Sequence, residues 1–300
     1  MAEHRSIKYC PICSFSDFSK VLEVSDYRGS GEQFALWECR KCSLRFTSPI
    51  PDENDIQRYY ETDSYISHSD QPDSIIDKIY RFVQKITLRS KKSIVKKWSD
   101  VKCGSILDIG CGTGDFLNKM KMSGWEIEGV EANQSARQIA QNKINKSILA
   151  PKDFLKSDNQ FDVITLWHSL EHLHDLQKYV GQIKGSLKKN GTLFVALPNY
   201  NSFDAEYYRS NWAAYDAPRH LYHFSFQAMQ TLVGEFNMNI VHYQQLPFDS
   251  FYVSLMSETI VKNRGSIIRA LWIGIRSFVN GLFNPKKGSS ILYIIRTGNN

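Results

Sequence analysis

From residue 105 onward the chain alternates between short apolar runs and stretches whose apolar residues recur every three or four positions. The runs at 105–109, 126–131, 146–150, 161–167, 191–197, 238–246 and 290–296 read as strands, with helical spacing between them at 115–123, 134–143, 175–188 and 225–236. Strands that take turns with helices in this way predict a parallel sheet covered on both faces. The last two strands need not run parallel to the rest.

Ahead of this pattern, Ile75, Ile76, Ile79, Phe82, Val83, Ile86, Ile94, Val95 and Trp98 are set against Lys and Arg, which suits one or two amphipathic helices over 74–98. A polar stretch from Asp63 to Asp73 reads as a linker, and strand-like pieces at 34–37 and 44–46 precede it. The division that follows is a small module over 1–62, a linker with amphipathic helices over 63–103, and an α/β domain over 104–300. Between the last two strands lies a helical insertion, 249–284. Ile260, Ile267, Ile268, Leu271, Trp272, Ile275, Phe278, Val279, Leu282 and Phe283 run at helical spacing there, with Lys262, Arg264, Arg269 and Arg276 interspersed. Such a basic, aromatic segment fits core packing, a lid over the active site, a homodimer interface, or peripheral membrane contact through 255–284.

Composition narrows the class. A chain of 300 residues, 42% of them hydrophobic, can build a sizeable core and is not disordered. A net charge of +6 is too small by itself to argue for a nucleic-acid partner. The N-terminus lacks the apolar core of a signal peptide, and there is no apolar run long enough to span a bilayer, so the expectation is a cytoplasmic protein.

Four of the six cysteines are patterned as two C-x-x-C knuckles, Cys10/Cys13 and Cys39/Cys42. Four thiolates can close a tetrahedral, non-catalytic zinc site. Disulfides and free thiols are the rivals, and a reducing compartment disfavours the former.

The densest chemistry follows the first strand of the α/β domain. Ile106-Leu107-Asp108-Ile109 runs into Gly110-Cys111-Gly112-Thr113-Gly114, and a helical pattern resumes at once. A strand, a bare turn and a helix N-terminus let backbone amides approach a ligand closely. The glycines fall as G-x-G-x-G, and Asp115 stands where a dinucleotide fingerprint needs its third glycine. Glu131 ends the second strand, at the distance from the loop suited to ribose hydroxyls, with Ala132 beside it.

Asp108, these glycines and Glu131 together resemble motif I of the class I S-adenosylmethionine-dependent methyltransferases. The resemblance implies a Rossmann-like, doubly wound, seven-stranded sheet whose last strand is antiparallel and slots beside the fifth. It also implies S-adenosylmethionine as cofactor, bound by Asp108, Gly110, Cys111, Gly112, Gly114, Glu131 and Ala132. Asp153 and Phe154 match the family's adenine contacts, and Trp167 and His168 lie where the sulfonium is held. Trp167-His168-Ser169-Leu170-Glu171-His172 looks like the motif IV segment of small-molecule methyltransferases. Some quinone-methylating relatives place a metal at a similar Glu-His, but no second acid cluster accompanies it here. The aromatic stretch 199–226 reads as a lid, with His220 and His223 as candidate bases beside His168, Glu171 and His172. The four-cysteine module ahead of this domain is similar to that of sugar C-methyltransferases. The expected activity is methylation of a small molecule such as a sugar, glycan or lipid-linked intermediate. An RNA methyltransferase that grips nucleic acid through the cysteine module is the alternative, and a non-catalytic cofactor-binding or scaffold protein is the third.

Overall fold

A computed structural model of the protein describes residues 4–53, 55–61, 75–261 and 265–298. The linker at 63–73 and the side chains of Lys262 and Arg264 lie outside the described residues. In chain order the elements used below begin with strands β1 (Phe18–Ser25), β2 (Gln33–Cys39) and β3 (Arg45–Ser48) and helix α1 (Ile75–Trp98). Then come β4 (Ser105–Ile109), α2 (Asp115–Lys121), β5 (Glu126–Val130), α3 (Gln134–Ile144), β6 (Phe161–Trp167), α4 (Leu176–Gly185) and β7 (Leu187–Pro198). The remainder are α5 (Phe203–Tyr208), β8 (Tyr222–His223), α6 (Phe226–Glu235), β9 (Met238–Gln245), α7 (Asp249–Ile260), α8 (Ile267–Phe283) and β10 (Ser290–Thr297).

The main sheet has six strands in the order β9-β10-β7-β6-β4-β5. Its core, β7-β6-β4-β5, is parallel, and β10 runs antiparallel beside β7, as the resemblance implied. The strands are apolar on both faces because both are covered. Ile106, Val163 and Phe194 pack on the face that carries α1, α2 and α3, while Leu107, Ile109, Ile164 and Val195 pack on the other.

The seventh strand, expected at 146–150, does not form. Leu149 makes an isolated bridge to Val130, and Pro151 then opens a single helical turn, Pro151–Phe154. Proline is suited to the first turn of a helix and cannot donate to a ladder, so the segment turns away after one bridge. The amphipathic pattern at 74–98 becomes one helix, α1. Its Val95 is fully buried against the sheet, and Trp98 stacks on His242 at 4.2 Å.

The cysteine module does not stand apart. Ile12, Leu36, Leu44 and Phe46 belong to the same core cluster as Leu107, Ile109 and Tyr293. β8, from the aromatic segment, pairs antiparallel with β3 and extends the module's sheet. Arg219, 2% exposed, pins the junction. Its guanidinium donates to Asp26 Oδ1 at 2.7 Å, to Asp216 Oδ1 at 2.8 Å and to the carbonyl of Tyr59 at 2.8 Å. No helix among the described residues is long and apolar enough to cross a membrane.

Candidate active site

The exits of β4, β5 and β6 meet at one end of the sheet, where ligands of open α/β sheets bind. After Ile109 the chain turns through Gly110, Gly112 and Gly114 at φ of +77°, +54° and +78°. The amides of Gly110 and Cys111 donate to the carbonyl of Val130, at 2.8 and 3.1 Å, and tie the loop to the end of β5. Glu131 closes the arrangement: one carboxylate oxygen accepts from Gly112 N–H and the other from Asn133 N–H, both at 2.8 Å. A Cβ on Gly110 would sit 2.5 Å from Ser169 Cβ, so that glycine is required by packing. One on Gly112 would meet nothing within 4 Å. The loop thus presents bare backbone to open space beside a fixed carboxylate.

The floor beneath the loop is ionic. Asp108 is buried and accepts from Thr165 Oγ1 at 2.6 Å. Burial pushes its carboxyl up to about 7, while Thr165 and Lys91 oppose the rise. Burial likewise pushes the Cys111 thiol up. Lys91 reaches in from α1 and sits 4.6 Å from the centroid of Trp167, whose buried indole N–H has no partner among the described residues. Burial lowers the Lys91 pKa, with Asp108 and Asp249 pulling the other way. Lys91 was not anticipated from sequence, since nothing in its helical pattern separates it from the neighbouring lysines. Ala132 is exposed, and its carbonyl accepts from Arg137. Asp153 is exposed beyond the bridge at Leu149, whereas Phe154 is 1% exposed and belongs to the main core, which takes it out of the set of cleft-facing residues.

On the other side of the cleft, His168 follows β6 at φ +57°, a left-handed conformation that costs a non-glycine residue energy and gathers at functional sites. It lies between two carboxylates, with Nε2 3.0 Å from Asp249 Oδ2 and Nδ1 3.7 Å from Glu171 Oε1. Burial favours the neutral ring, but the two acids outweigh it and raise His168 to about 9. It is therefore an imidazolium at neutral pH, a donor rather than the base its position in the sequence suggested. Glu171 is 1% exposed, and among the described residues neither of its carboxylate oxygens has a hydrogen-bond partner. Burial would raise its pKa, yet the three histidines around it hold it down.

Those neighbours include His172 and His220, whose rings meet edge to face at 4.6 Å. His172 Nδ1 lies 2.9 Å from the carbonyl of Arg219, and His220 Nδ1 lies 2.8 Å from that of Ala214. A carbonyl only accepts, so both rings carry hydrogen on Nδ1, and the neutral form of each leaves its lone pair on Nε2. Tyr60 Oη also lies 3.0 Å from His172 Nδ1. Burial, reinforced by His172, lowers His220 to about 4 and keeps it neutral. One donor atom each from Glu171, His172 and His220 lie within 4.8 Å of one another, close enough to hold a cation between them. His220 thus supplies the third donor that the Glu-His pair lacked in the sequence.

His223 lies farther back. Its ring is 6.4 Å from that of His220, and its Nε2 is 3.4 Å from Thr47 Oγ1, within the module's sheet. Burial first, then His220 and Arg45, hold its pKa well below the ordinary value. Much of the aromatic segment is core rather than lid, with Trp212, Tyr215 and Phe224 buried. The insertion contributes Asp249, while Tyr252 faces outward and Ser254 is fully buried.

In the module, Cys10 and Cys42 Sγ are 3.5 Å apart, and Cys13 and Cys39 Sγ 3.6 Å. The two knuckles repeat one turn. Ser14 and Ser43, at φ +56° and +58°, donate to the carbonyls of Cys10 and Cys39, whose own amides donate to Phe15 and Leu44. A metal bound by four sulfurs at 2.3 Å sets them about 3.8 Å apart, so the observed spacing fits a zinc tetrahedron, whereas a disulfide needs about 2.05 Å.

A doubly wound sheet, a glycine turn at its switch point and an acid at the next strand end are the marks of a Rossmann-like fold. The chain belongs to the methyltransferase domain family, whose model matches residues 68–243. It is 32% identical over 100 residues to a ubiquinone biosynthesis O-methyltransferase of Pelagibacter ubique, covering 31% of this chain and 42% of that protein. It is 34% identical over 107 residues to an uncharacterized methyltransferase of Bacillus cereus, covering 34% of this chain and 50% of that protein. The chain therefore spans about half, or less, of the curated relatives it matches. Magnesium protoporphyrin IX methyltransferase of Synechocystis PCC 6803, solved with bound SAH, superposes on 82% of this chain and 95% of its own, with a TM-score of 0.51 at 10% identity. That likeness shows the shared fold.

Proposed function

We propose that the protein is an S-adenosylmethionine-dependent methyltransferase that modifies a small molecule. The observation that carries this reading is the loop at 110–114, bare of side chains over Gly112, with the Glu131 carboxylate anchored beside it at 2.8 Å. The free side of that carboxylate suits ribose hydroxyls, and the bare turn suits the amino-acid end of the donor. When bound, S-adenosylmethionine supplies an electrophilic methyl group on a sulfonium. Trp167 and Lys91 would wall the cleft beside it. His220 Nε2, which the Ala214 contact leaves as the acceptor atom of the neutral ring, is the proposed acceptor of the nucleophile's proton, with His172 as its partner. Glu171, buried beside His168, His172 and His220, would stabilise the imidazolium that forms by charge attraction. His168, fixed by Asp249, would donate to the acceptor and hold it in line for displacement.

The aromatic wall and the buried acid suit an oxygen- or carbon-centred acceptor on a sugar, glycan or lipid-linked intermediate. An RNA acceptor gains less support, because Arg40 and Arg45 of the module are paired with Asp17 and Glu38. The four cysteines are proposed to hold one structural zinc ion.

Titration calorimetry with S-adenosylmethionine and S-adenosylhomocysteine tests the donor. Micromolar binding is expected, and no binding would remove this reading. Labelled donor with panels of sugars, quinones and lipid extracts then finds the acceptor. Turnover that survives chelation of accessible divalent ions separates the histidine base from a cation held at Glu171. Elemental analysis reporting one zinc per chain tests the module.

A further inference from the structure

Helix α8 is built inside out. Its buried positions are Ala270, Ile273, Gly274, Ser277 and Gly281, four of them small. A Cβ on Gly274 would lie 3.0–3.1 Å from Phe251 of α7, so close packing of the two helices requires the small side chain. The large residues point the other way. Ile268 is 81% exposed and Phe283 is 88% exposed, with Trp272, Ile275 and Leu282 between them more than half exposed. At 3.6 residues per turn, these positions fall within an arc of about 100°. A helix that serves only its own fold buries this face, and contiguous exposed apolar surface of this size marks an interaction site.

Charge decides the partner. Residues 259–300 contain seven Lys and Arg and no Asp or Glu, against a net of +6 for the whole chain, so the rest of the protein is close to neutral. Arg269 and Arg276 lie along one flank of the apolar arc. Arg276 stacks over Phe203 at 4.5 Å and over Trp272 at 5.4 Å, and Arg269 pairs with Glu258. An apolar stripe edged by cations and aromatic rings matches the boundary between acyl chains and anionic headgroups. A two-fold dimer through the same patch would set this cationic segment against its own copy.

We propose that the outward face of α8 docks the protein on an anionic lipid bilayer. α8 packs against α7, whose first residue, Asp249, holds His168 in the cleft, so docking would set the acceptor side of the cleft near the lipid surface. This proposal stands on the α8 face and does not depend on the identity of the methyl donor.

Co-sedimentation with vesicles tests it directly. The wild-type chain is expected to bind phosphatidylcholine vesicles containing about 30% phosphatidylglycerol, and to bind pure phosphatidylcholine at least about tenfold more weakly. Binding should weaken in about 0.5 M salt without vanishing, because the apolar part is unscreened. The double variant Ile268→Glu/Phe283→Glu, at two exposed positions, is expected to keep its circular dichroism and melting temperature while its partition constant falls at least about tenfold. Failure of the wild-type chain to bind anionic vesicles overturns the proposal. So does a wild-type dimer, detected by light scattering, that the double variant dissociates while vesicle binding stays unchanged.

Discussion

The two sides of the cleft are made differently. The donor side is local and built from backbone: Gly110, Gly112 and Glu131 come from adjoining segments and present amides and one carboxylate. The acceptor side is assembled from distant side chains. Tyr60 meets His172 across 112 positions, and Arg219 meets Asp26 across 193. Local backbone geometry suits an invariant ligand, whereas a surface gathered from several elements can change its acceptor by changing one of them. The donor side should therefore respond to substitution in affinity, and the acceptor side in turnover and in folding.

The largest expected effect tests the assembled side. Arg219→Met leaves Asp26 buried without its cation and Asp216 with only Arg28, 3.3 Å away, and should cost about 3–5 kcal/mol of stability in chemical denaturation. A loss below about 1 kcal/mol would show that the junction is held by its apolar core alone. Next, His220→Ala is expected to lower kcat by about 10²–10³-fold with donor affinity unchanged. An equal loss of donor binding would erase the division between the sides. Glu131→Ala should do the opposite, weakening the donor by roughly 1.5–3 kcal/mol, about 10- to 150-fold, with little change in melting temperature.

The smallest effect concerns pH. His168 titrates at about 9 in the folded chain, above its ordinary value near 6.5. Its contribution to stability is fully present below pH 6.5 and is lost as pH rises through 9. Asp249→Asn should draw that alkaline loss toward neutral pH in melting curves and pull the His168 ring resonance along in a proton titration. A wild-type His168 that titrates near 6.5 would dissolve the clamp.

The same contrast explains what the sequence disclosed. Asp108, the glycine run and Glu131 could be placed on a strand, a turn and a second strand end because each contact spans few residues. The antiparallel return of β10 beside β7 came from family resemblance. The strand at 146–150 was misjudged because apolar spacing there is the same for a strand and for a one-residue bridge; Pro151 was the available signal. Phe154 was assigned to the cofactor, but its ring completes the core. The histidines of 168–223 were visible as residues, yet their tautomers and charges were not. Those depend on the carbonyls of Ala214 and Arg219 and on Asp249, which only the folded chain brings near. Lys91 carried no local signal at all, and Arg219 stood in a legible string, Pro218 to His223, that did not disclose its partners.

The Arg219 junction also bears on the order in which the chain takes shape. Asp26 leaves the ribosome early, but its partner follows 193 residues later, and β3 waits as long for β8 to complete its sheet. During that interval the N-terminal segment holds an unpaired acid and an open strand edge, the kind of surface that captures wrong partners. Four thiols closing on an ion would keep the early segment in its final shape until the rest arrives. In that role the proposed zinc site would act as a placeholder during synthesis, and removing zinc while the chain is being made would lower the yield of folded protein more than removing it afterwards.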